Sequence, residues 1–141
     1  IDLKNGGAFF HHADSFGMMR GGHLDYCILG AFQISANGDL ANWHTGHPDA
    51  IPAVGGAMDL ASGAQNVYVM MEHLTKQGHS KILEKCSYPL TGLACVNRVY
   101  TEIATFDFDN GQVFVIDIVT PHTAEYVQSI TDIPLDFSRM K

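Results

Sequence analysis

Residues 53–73, AVGGAMDLASGAQNVYVMMEH, contain the features that decide the fold. Two adjacent glycines, Gly55 and Gly56, lead into an apolar segment that predicts a short helix over residues 56–63. The apolar run over residues 66–71 has the length of a strand and predicts one that is buried. A glycine turn, a helix and a strand in this order are typical of a βαβ unit in an open α/β sheet.

The segments upstream of this stretch predict a helix followed by another strand. Residues 14–22, DSFGMMRGG, combine possible N-caps at Asp14 and Ser15 with a pair of glycines that would end a helix. Residues 25–35, DYCILGAFQIS, are almost continuously apolar. Such a run predicts one strand buried on both faces of a parallel sheet.

The downstream sequence predicts an antiparallel appendage. Two apolar runs flank residues 109–111, DNG, which suit a tight hairpin turn. After Pro121, the apolar residues Ala124, Val127 and Ile130 recur on one face of a short helix. We therefore expect an α/β fold with an open, mainly parallel sheet, flanking helices and a C-terminal antiparallel hairpin.

Composition narrows the class of protein. With 141 residues, 46% hydrophobic and 16% charged, the chain fits a single domain over residues 1–141. A net charge of −7 with 8 Lys and Arg residues makes nucleic acid an unfavourable partner. No apolar run approaches the ~20 residues that span a bilayer, so we expect a cytoplasmic protein without membrane contact. The isolated cysteines Cys86 and Cys95 are expected to be structural thiols rather than nucleophiles.

The glycine pair and the histidines are the candidate functional residues. Gly55 and Gly56 should lie where the carboxyl ends of the strands bind ligands, although a simple turn or tight packing explains them equally well. His44 and His47 approach metal-ligand spacing without a partnering cysteine or acidic pair, so we expect a loop and no metal site. The Glu-His pair at residues 72–73 follows a strand and marks either a site or the point where the strand surfaces.

Several phrases, taken in order, closely resemble the B subunit of family I coenzyme A transferases. The resemblance covers about residues 6–135 and implies the open α/β fold of that family, which is of the CoA-transferase/NagB-like type. The phrases are DSFGMMRGGHLD (14–25), VGGAMDLASGA (54–64), VMMEH (69–73), KILEKCSYPLTG (81–92) and CVNRVYTE (95–102). GGAFFHHADSF (6–16) and NWHTGHPDAIPAVGGAMDLA (42–61) are most similar to the branch that uses 3-oxoadipate as acceptor.

The resemblance implies transfer of CoA from succinyl-CoA to a 3-oxoacid, here 3-oxoadipate, in aromatic catabolism by the β-ketoadipate pathway. Members of the family use a glutamate nucleophile and pass through a glutamyl-CoA thioester. That glutamate belongs to a Glu-Asn-Gly motif that this sequence does not contain; its glutamates are Glu72, Glu84, Glu102 and Glu125. The chain is therefore expected to be the C-terminal portion of a longer subunit, or to be unable to catalyse alone.

The resemblance also assigns roles to individual residues. It implies that the backbone N–H of Gly56 donates to the oxyanion of the reacting thioester, with Gly55 and Ala57 beside it in the loop. It implies that Asn42 lies near bound CoA. On this basis Gly56→Ala is expected to lower kcat, with Gly63→Ala as a milder control.

Two cationic side chains are further candidates for binding the substrates. Lys76 and Arg98 either screen CoA phosphates or acceptor carboxylates, or are ordinary solvated cations. CoA is expected as a substrate, with no permanently bound cofactor. An A subunit is the expected partner, in a heterotetramer. The open alternatives are an acetoacetate or other 3-oxoacid CoA-transferase subunit, a non-catalytic sugar-phosphate-binding domain and a purely structural subunit.

Overall fold

The computed structural model describes residues 2–49 and 55–140. Its elements are three helices and eight strands within those ranges. In chain order they are α1 (His12–Arg20), β1 (Tyr26–Leu29), β2 (Gln33–Ser35), β3 (Leu40–Ala41), α2 (Ala57–Gly63), β4 (Asn66–Met70), β5 (Ile82–Leu83), β6 (Val96–Tyr100), β7 (Ala104–Asp109), β8 (Gln112–Ile118) and α3 (Ala124–Ser129).

The central sheet has five strands in the order β1-β4-β6-β7-β8. The β1–β4 and β4–β6 pairs are parallel, whereas β6–β7 and β7–β8 are antiparallel. The α/β class, the open sheet and the C-terminal hairpin are thus confirmed, with the parallel strands forming one half of the sheet. The hairpin turns at Asn110 and Gly111, whose φ values of +50° and +78° are those of the left-handed region.

The prediction of one strand over residues 25–35 is wrong. The chain leaves the central sheet after Leu29, and β2 belongs to a second sheet of order β3-β2-β5. Long-range pairing causes the break, because Ile34 is held in parallel register with Ile82, far along the chain. The apolar run therefore supplies two strands of two sheets, a division that its composition does not reveal.

Strand β1 is buried on one face only, which also corrects the expectation. Its inner residue Cys27 lies against α2, where its Sγ donates to the carbonyl oxygen of Leu60. On the opposite face Tyr26 and Ile28 are 60% and 64% exposed. In the described residues the α2 side of the parallel strands is therefore the covered one.

The core lies between the inner face of the central sheet, the small sheet and α3. Fully buried side chains include Val69 and Val99 of the central sheet and Val127 of α3. The predicted helix after Pro121 is confirmed, and Thr123 caps it by accepting a hydrogen bond from the N–H of Tyr126. Among the described residues no helix is both long and apolar enough to cross a bilayer.

Helix α1 begins earlier than the sequence predicts. Its N-cap is His11, whose Nδ1 accepts a hydrogen bond from the N–H of Ala13, so the prediction of a cap at Asp14 or Ser15 is wrong. An imidazole nitrogen does here what a hydroxyl or carboxylate oxygen usually does. The stop at the two glycines is confirmed, with Gly21 as the C-cap.

Candidate active site at the carboxyl edge of the sheet

Helix α2 is placed so that its amino end lies at the carboxyl edge of the parallel strands. The turn between α2 and β4 lies beside the start of β1, where the N–H groups of Gln65 and Asn66 donate to the carbonyl oxygens of Leu24 and Asp25. The helix therefore ends at the amino edge of the sheet and begins near its carboxyl edge. In open α/β sheets ligands bind at the carboxyl edge.

The glycine pair lies at the start of α2, as predicted. Gly56 is the N-cap, and Ala57 is the first residue of the helix. Gly55 has a φ of +48°, a value that favours glycine, and a Cβ there would have no neighbour within 4 Å among the residues that the structure describes. A Cβ on Gly56 would lie 3.1 Å from two ring carbons of Phe16 in α1. A turn at Gly55 and close packing at Gly56 are therefore both present, whatever chemistry the loop performs. Residues 53–54 of the quoted stretch lie outside the described residues.

Gly63, at the other end of α2, is not a neutral position. A Cβ there would overlap the backbone carbonyl of Met19, where α2 meets α1. The expectation that Gly63→Ala is a mild control is therefore wrong. Close contact between two helix backbones, which cannot be read from the local sequence, is the physical reason.

Asn42 is fixed at the carboxyl end of β1 by its own side chain. Its Nδ2 donates to the carbonyl oxygen of Gly30 over 3.0 Å, immediately after β1 ends. Its Oδ1 accepts from the hydroxyl of Thr91 over 2.6 Å, and its backbone N–H donates to that same hydroxyl over 3.1 Å. Asn42 thus lies at the edge where ligands are expected, and Thr91 is its principal partner.

The residues after Asn42 form a loop, as predicted for the two histidines. Nδ1 of His44 accepts from the N–H of Gly46 over 2.9 Å. The indole N–H of Trp43 donates to the carbonyl oxygen of Leu90 over 3.1 Å. Across residues 2–49 and 55–140 no three His, Cys, Asp or Glu side chains are grouped as metal ligands.

The two predicted cations lie in different surroundings. Lys76 is exposed in the turn that follows β4. Arg98 lies on β6 in register with Tyr68, on the face of the sheet opposite α2. It makes two hydrogen bonds to Asp107, one of 2.8 Å from its Nη2, and these bonds raise the guanidinium pKa. Asp107 therefore already neutralises Arg98.

The sequence predicts the position of His73 at the end of a strand but not the contacts of its side chain. It lies at the end of β4, as expected, but its side chain is fully buried and lies near the ring of Phe106. Its Nε2 lies 2.9 Å from the hydroxyl of Thr131, which itself donates to the carbonyl oxygen of Val127. The imidazole must therefore donate through Nε2, and its Nδ1 has no partner in the described residues.

The environment of His73 favours the neutral form of the ring. Burial lowers the pKa of His73, an effect that the negative charge of Glu102 partly opposes. Glu102 also accepts a hydrogen bond of 2.9 Å from the backbone N–H of His73, which joins the ends of β4 and β6. No local signal could have shown this arrangement, because Glu102 and Thr131 are distant in sequence.

The surroundings of Cys86 and Cys95 favour the protonated thiol, in line with the expectation of structural thiols. Burial raises the pKa of Cys86 to about 11 and that of Cys95 to about 11. Since the thiolate is the reactive form, neither residue is suited to nucleophilic attack at neutral pH.

Comparison with known proteins identifies the family. Residues 2–130 match the Coenzyme A transferase family. The chain belongs to that family. It is 57% identical over 135 residues to the B subunit of 3-oxoadipate CoA-transferase from Pseudomonas putida, covering 96% of this chain and 63% of that protein. It is 44% identical over 132 residues to the B subunit of succinyl-CoA:3-ketoacid coenzyme A transferase from Helicobacter pylori, covering 94% and 63%. The chain thus spans less than two thirds of the length of these relatives.

Solved structures agree on the fold. Acyl-CoA transferase YdiF from Escherichia coli O157:H7 superposes with a TM-score of 0.81 at 17% identity, over 95% of this chain and 30% of that one. Glutaconate coenzyme A-transferase from Acidaminococcus fermentans gives 0.77 at 20% identity, over 95% and 60%. At such low identity the likeness establishes the α/β fold alone.

Proposed function

We propose that this chain forms part of the B subunit of a transferase that moves CoA from succinyl-CoA to 3-oxoadipate. The observation that carries the proposal is the 57% identity to the B subunit of a 3-oxoadipate CoA-transferase across 96% of the chain. The corresponding identity to a succinyl-CoA:3-ketoacid transferase is 44%. This difference favours 3-oxoadipate over acetoacetate as the acceptor.

In this proposal the backbone N–H of Gly56 stabilises the oxyanion that forms when the thioester carbonyl is attacked. Gly55 and Ala57 shape the loop on either side of it, and Asn42 binds near the CoA thioester. Loss of one oxyanion donor typically costs ~10²–10³ in rate, so the position of this N–H governs turnover. The nucleophilic glutamate is supplied from outside these 141 residues, which contain no Glu-Asn-Gly.

The two cations have unequal support as binders of CoA phosphates or acceptor carboxylates. Lys76 is exposed after the carboxyl end of β4, which is compatible with either ligand. Arg98 would have to leave Asp107 to bind an anion, and the paired hydrogen bonds stand against that role. We therefore favour Lys76 over Arg98.

The proposal extends to the assembly and its surroundings. The relatives are named as B subunits, a name that implies an A subunit. We infer that this chain is one domain of a B subunit that joins an A subunit in a cytoplasmic heterotetramer. CoA enters and leaves it as a substrate rather than as a resident cofactor.

A two-acceptor assay tests the function. The complete B subunit that contains this sequence, coexpressed with its A subunit, is supplied with succinyl-CoA and either 3-oxoadipate or acetoacetate. We expect a higher kcat/KM for 3-oxoadipate. A preference for acetoacetate would move the protein to the 3-ketoacid transferases. Transfer to neither acceptor would reject the CoA-transferase reading and favour a binding domain, which phosphorylated sugars would then probe.

A further inference from the structure

The connection between β3 and α2 contains the residues to which the proposed function assigns chemistry. It starts at Asn42, directly after β3 ends at Ala41, and it ends at Gly56. A long connection at the ligand-binding edge of a sheet is usually functional and needs fixed ends. Its far end lies close to α1, since a Cβ added to Gly56 would lie 3.1 Å from two ring carbons of Phe16.

The near end is fixed chiefly by Thr91. This residue is 7% exposed, and its backbone N–H donates to the carbonyl oxygen of Leu40 over 2.6 Å. Its hydroxyl both accepts from the backbone N–H of Asn42 and donates to Oδ1 of the same residue. The single hydroxyl of Thr91 therefore makes two hydrogen bonds to the same residue, one as acceptor and one as donor.

The hydroxyl of Thr91 and the carbonyl oxygen of Gly30 together set which way the Asn42 amide faces. The carbonyl oxygen of Gly30 can only accept, so the Nδ2 group faces it, and Oδ1 on the other side of the amide accepts the hydroxyl proton of Thr91. Within the described ranges, Nδ2 makes that single hydrogen bond, so its second N–H remains for an oxygen atom of the substrate. A flipped amide would place an oxygen against the Gly30 carbonyl, which can only accept, and would lose that hydrogen bond.

We propose that Thr91 is a positioning residue of the transferase: its hydroxyl orients the Asn42 amide and fixes the start of the connection to Gly55 and Gly56. The inference rests on the proposed function, since it assumes that Asn42 and Gly56 face the acyl-CoA. Thr91 itself acts through Asn42. The indole N–H of Trp43 donates to the carbonyl oxygen of Leu90, the residue before Thr91, and this bond also holds the start of the connection. We refer to these contacts of Asn42 and Trp43 with Leu90 and Thr91 as the anchor.

The variant Thr91→Val tests the hydroxyl, because valine keeps the shape and removes the oxygen. In the complete B subunit paired with its A subunit, we expect kcat to fall by about tenfold to a hundredfold, since small misplacement of reacting groups has costs of this order. KM for succinyl-CoA should change much less. Thr91→Ser, which restores the hydroxyl, should return kcat to within about twofold of wild type.

Thr131→Val is the matched control. Thr131 is 6% exposed, and its hydroxyl is likewise bonded, but to Val127 and His73 rather than to Asn42. A purely structural cost of losing a buried hydroxyl should lower the melting temperature in both variants, whereas only Thr91→Val should lower kcat per folded enzyme. If Thr91→Val does not assemble, Thr91→Ala replaces it under the same criterion.

A second measurement does not depend on activity. Trp43 is the single tryptophan of these 141 residues, and subtracting the signal of a Trp43→Phe variant isolates its fluorescence in the complete subunit. Thr91→Val should increase acrylamide quenching of Trp43, and Thr91→Ser should not. Unchanged kcat and quenching in Thr91→Val, or equal losses in the serine variant, would overturn the inference. Absence of transfer in the wild type would instead reject the proposed function, leaving the quenching result to judge the anchor.

Discussion

The two ends of α2 both use glycine, and they use it for different reasons. At the amino end, among the described residues, a Cβ on Gly55 would have no neighbour within 4 Å, and a Cβ on Gly56 would meet the edge of the Phe16 ring. At the carboxyl end Gly63 lies against the backbone of Met19 in α1. The first end lies at the carboxyl edge of the sheet, where open α/β sheets generally bind ligands, and the second lies at the amino edge.

The difference shows that a glycine in this fold can mark either a loop with room for a side chain or a close contact between two helices. A side chain added near the Phe16 ring can be accommodated by a small shift of that ring. A side chain added against a helix backbone requires the helices to separate. We therefore expect changes at Gly63 to affect stability and changes at Gly56 to affect turnover.

Gly63→Ala should have the largest effect. Helix propensity alone would stabilise the protein by about 1 kcal/mol, because alanine is the better helix former. The overlap with the Met19 carbonyl reverses the sign, and we expect the free energy of unfolding to fall by ~3 kcal/mol or more. Gly17→Ala, in α1 with nothing near its added Cβ, is the control and should stabilise by about 1 kcal/mol. Urea unfolding measures both, and a stabilised Gly63→Ala would remove the contrast.

If Gly56 has the proposed role of oxyanion donor, Gly56→Ala should lower kcat by about 10², because an added methyl would displace the thioester from the backbone N–H. The loss should appear in kcat/KM as well, since the N–H acts mainly in the transition state. Stability should change little beyond the weaker N-cap, which costs about 1 kcal/mol.

A double variant separates the two causes of that loss. Phe16→Leu gives the new methyl room on the α1 side, so it would restore turnover if contact with the Phe16 ring were the cause. We expect kcat to remain low in the double variant. Recovery would show that Gly56 is a packing glycine like Gly63.

Local patterns in the sequence predicted the elements, and distant contacts decided what the patterns could not. The glycine turn, α2 and β4 are encoded within one short stretch, as is the hairpin at residues 109–111. The break after Leu29 is set by pairing between Ile34 and Ile82, which no window around Leu29 contains. Gly63 is the sharpest case, because only the arrangement of two helices distinguishes it from Gly17.

The candidate site was predictable to a similar extent. The position of Gly56 follows from its place before a helix, and the resemblance to the family supplies its role. Arg98 looked free in the sequence because its partner Asp107 lies on the next strand, across a turn of the chain. The anchor at Thr91 was missed for the same reason, since its bond to Asn42 joins residues that are far apart in sequence.

The pH dependence of the unfolding free energy tests the environment of His73, which is buried at the end of β4. His73 has a lowered pKa in the folded state because of burial, against an ordinary value of 6.5. The unfolded chain therefore binds the proton more readily, and the contribution of neutral His73 to stability is lost as pH falls below 6.5. Unfolding free energies at pH 7.5 and 5.5 should differ more for wild type than for His73→Leu.

The smallest effect is expected for the ion pair that also joins α1 to α2. Nε of Arg20 lies 2.6 Å from Oδ1 of Asp59, with the two side chains 66% and 22% exposed. Exposed pairs contribute about 0.2–1 kcal/mol and are screened by salt, so Arg20→Met should lower the unfolding free energy by less than about 1 kcal/mol. The methionine keeps much of the apolar stem, which isolates the charge. The difference between wild type and variant should shrink in ~1 M salt, where the Debye length is about 3 Å. A loss as large as that of Gly63→Ala, and insensitive to salt, would mean that the Arg20–Asp59 contact rather than close backbone packing holds the two helices together.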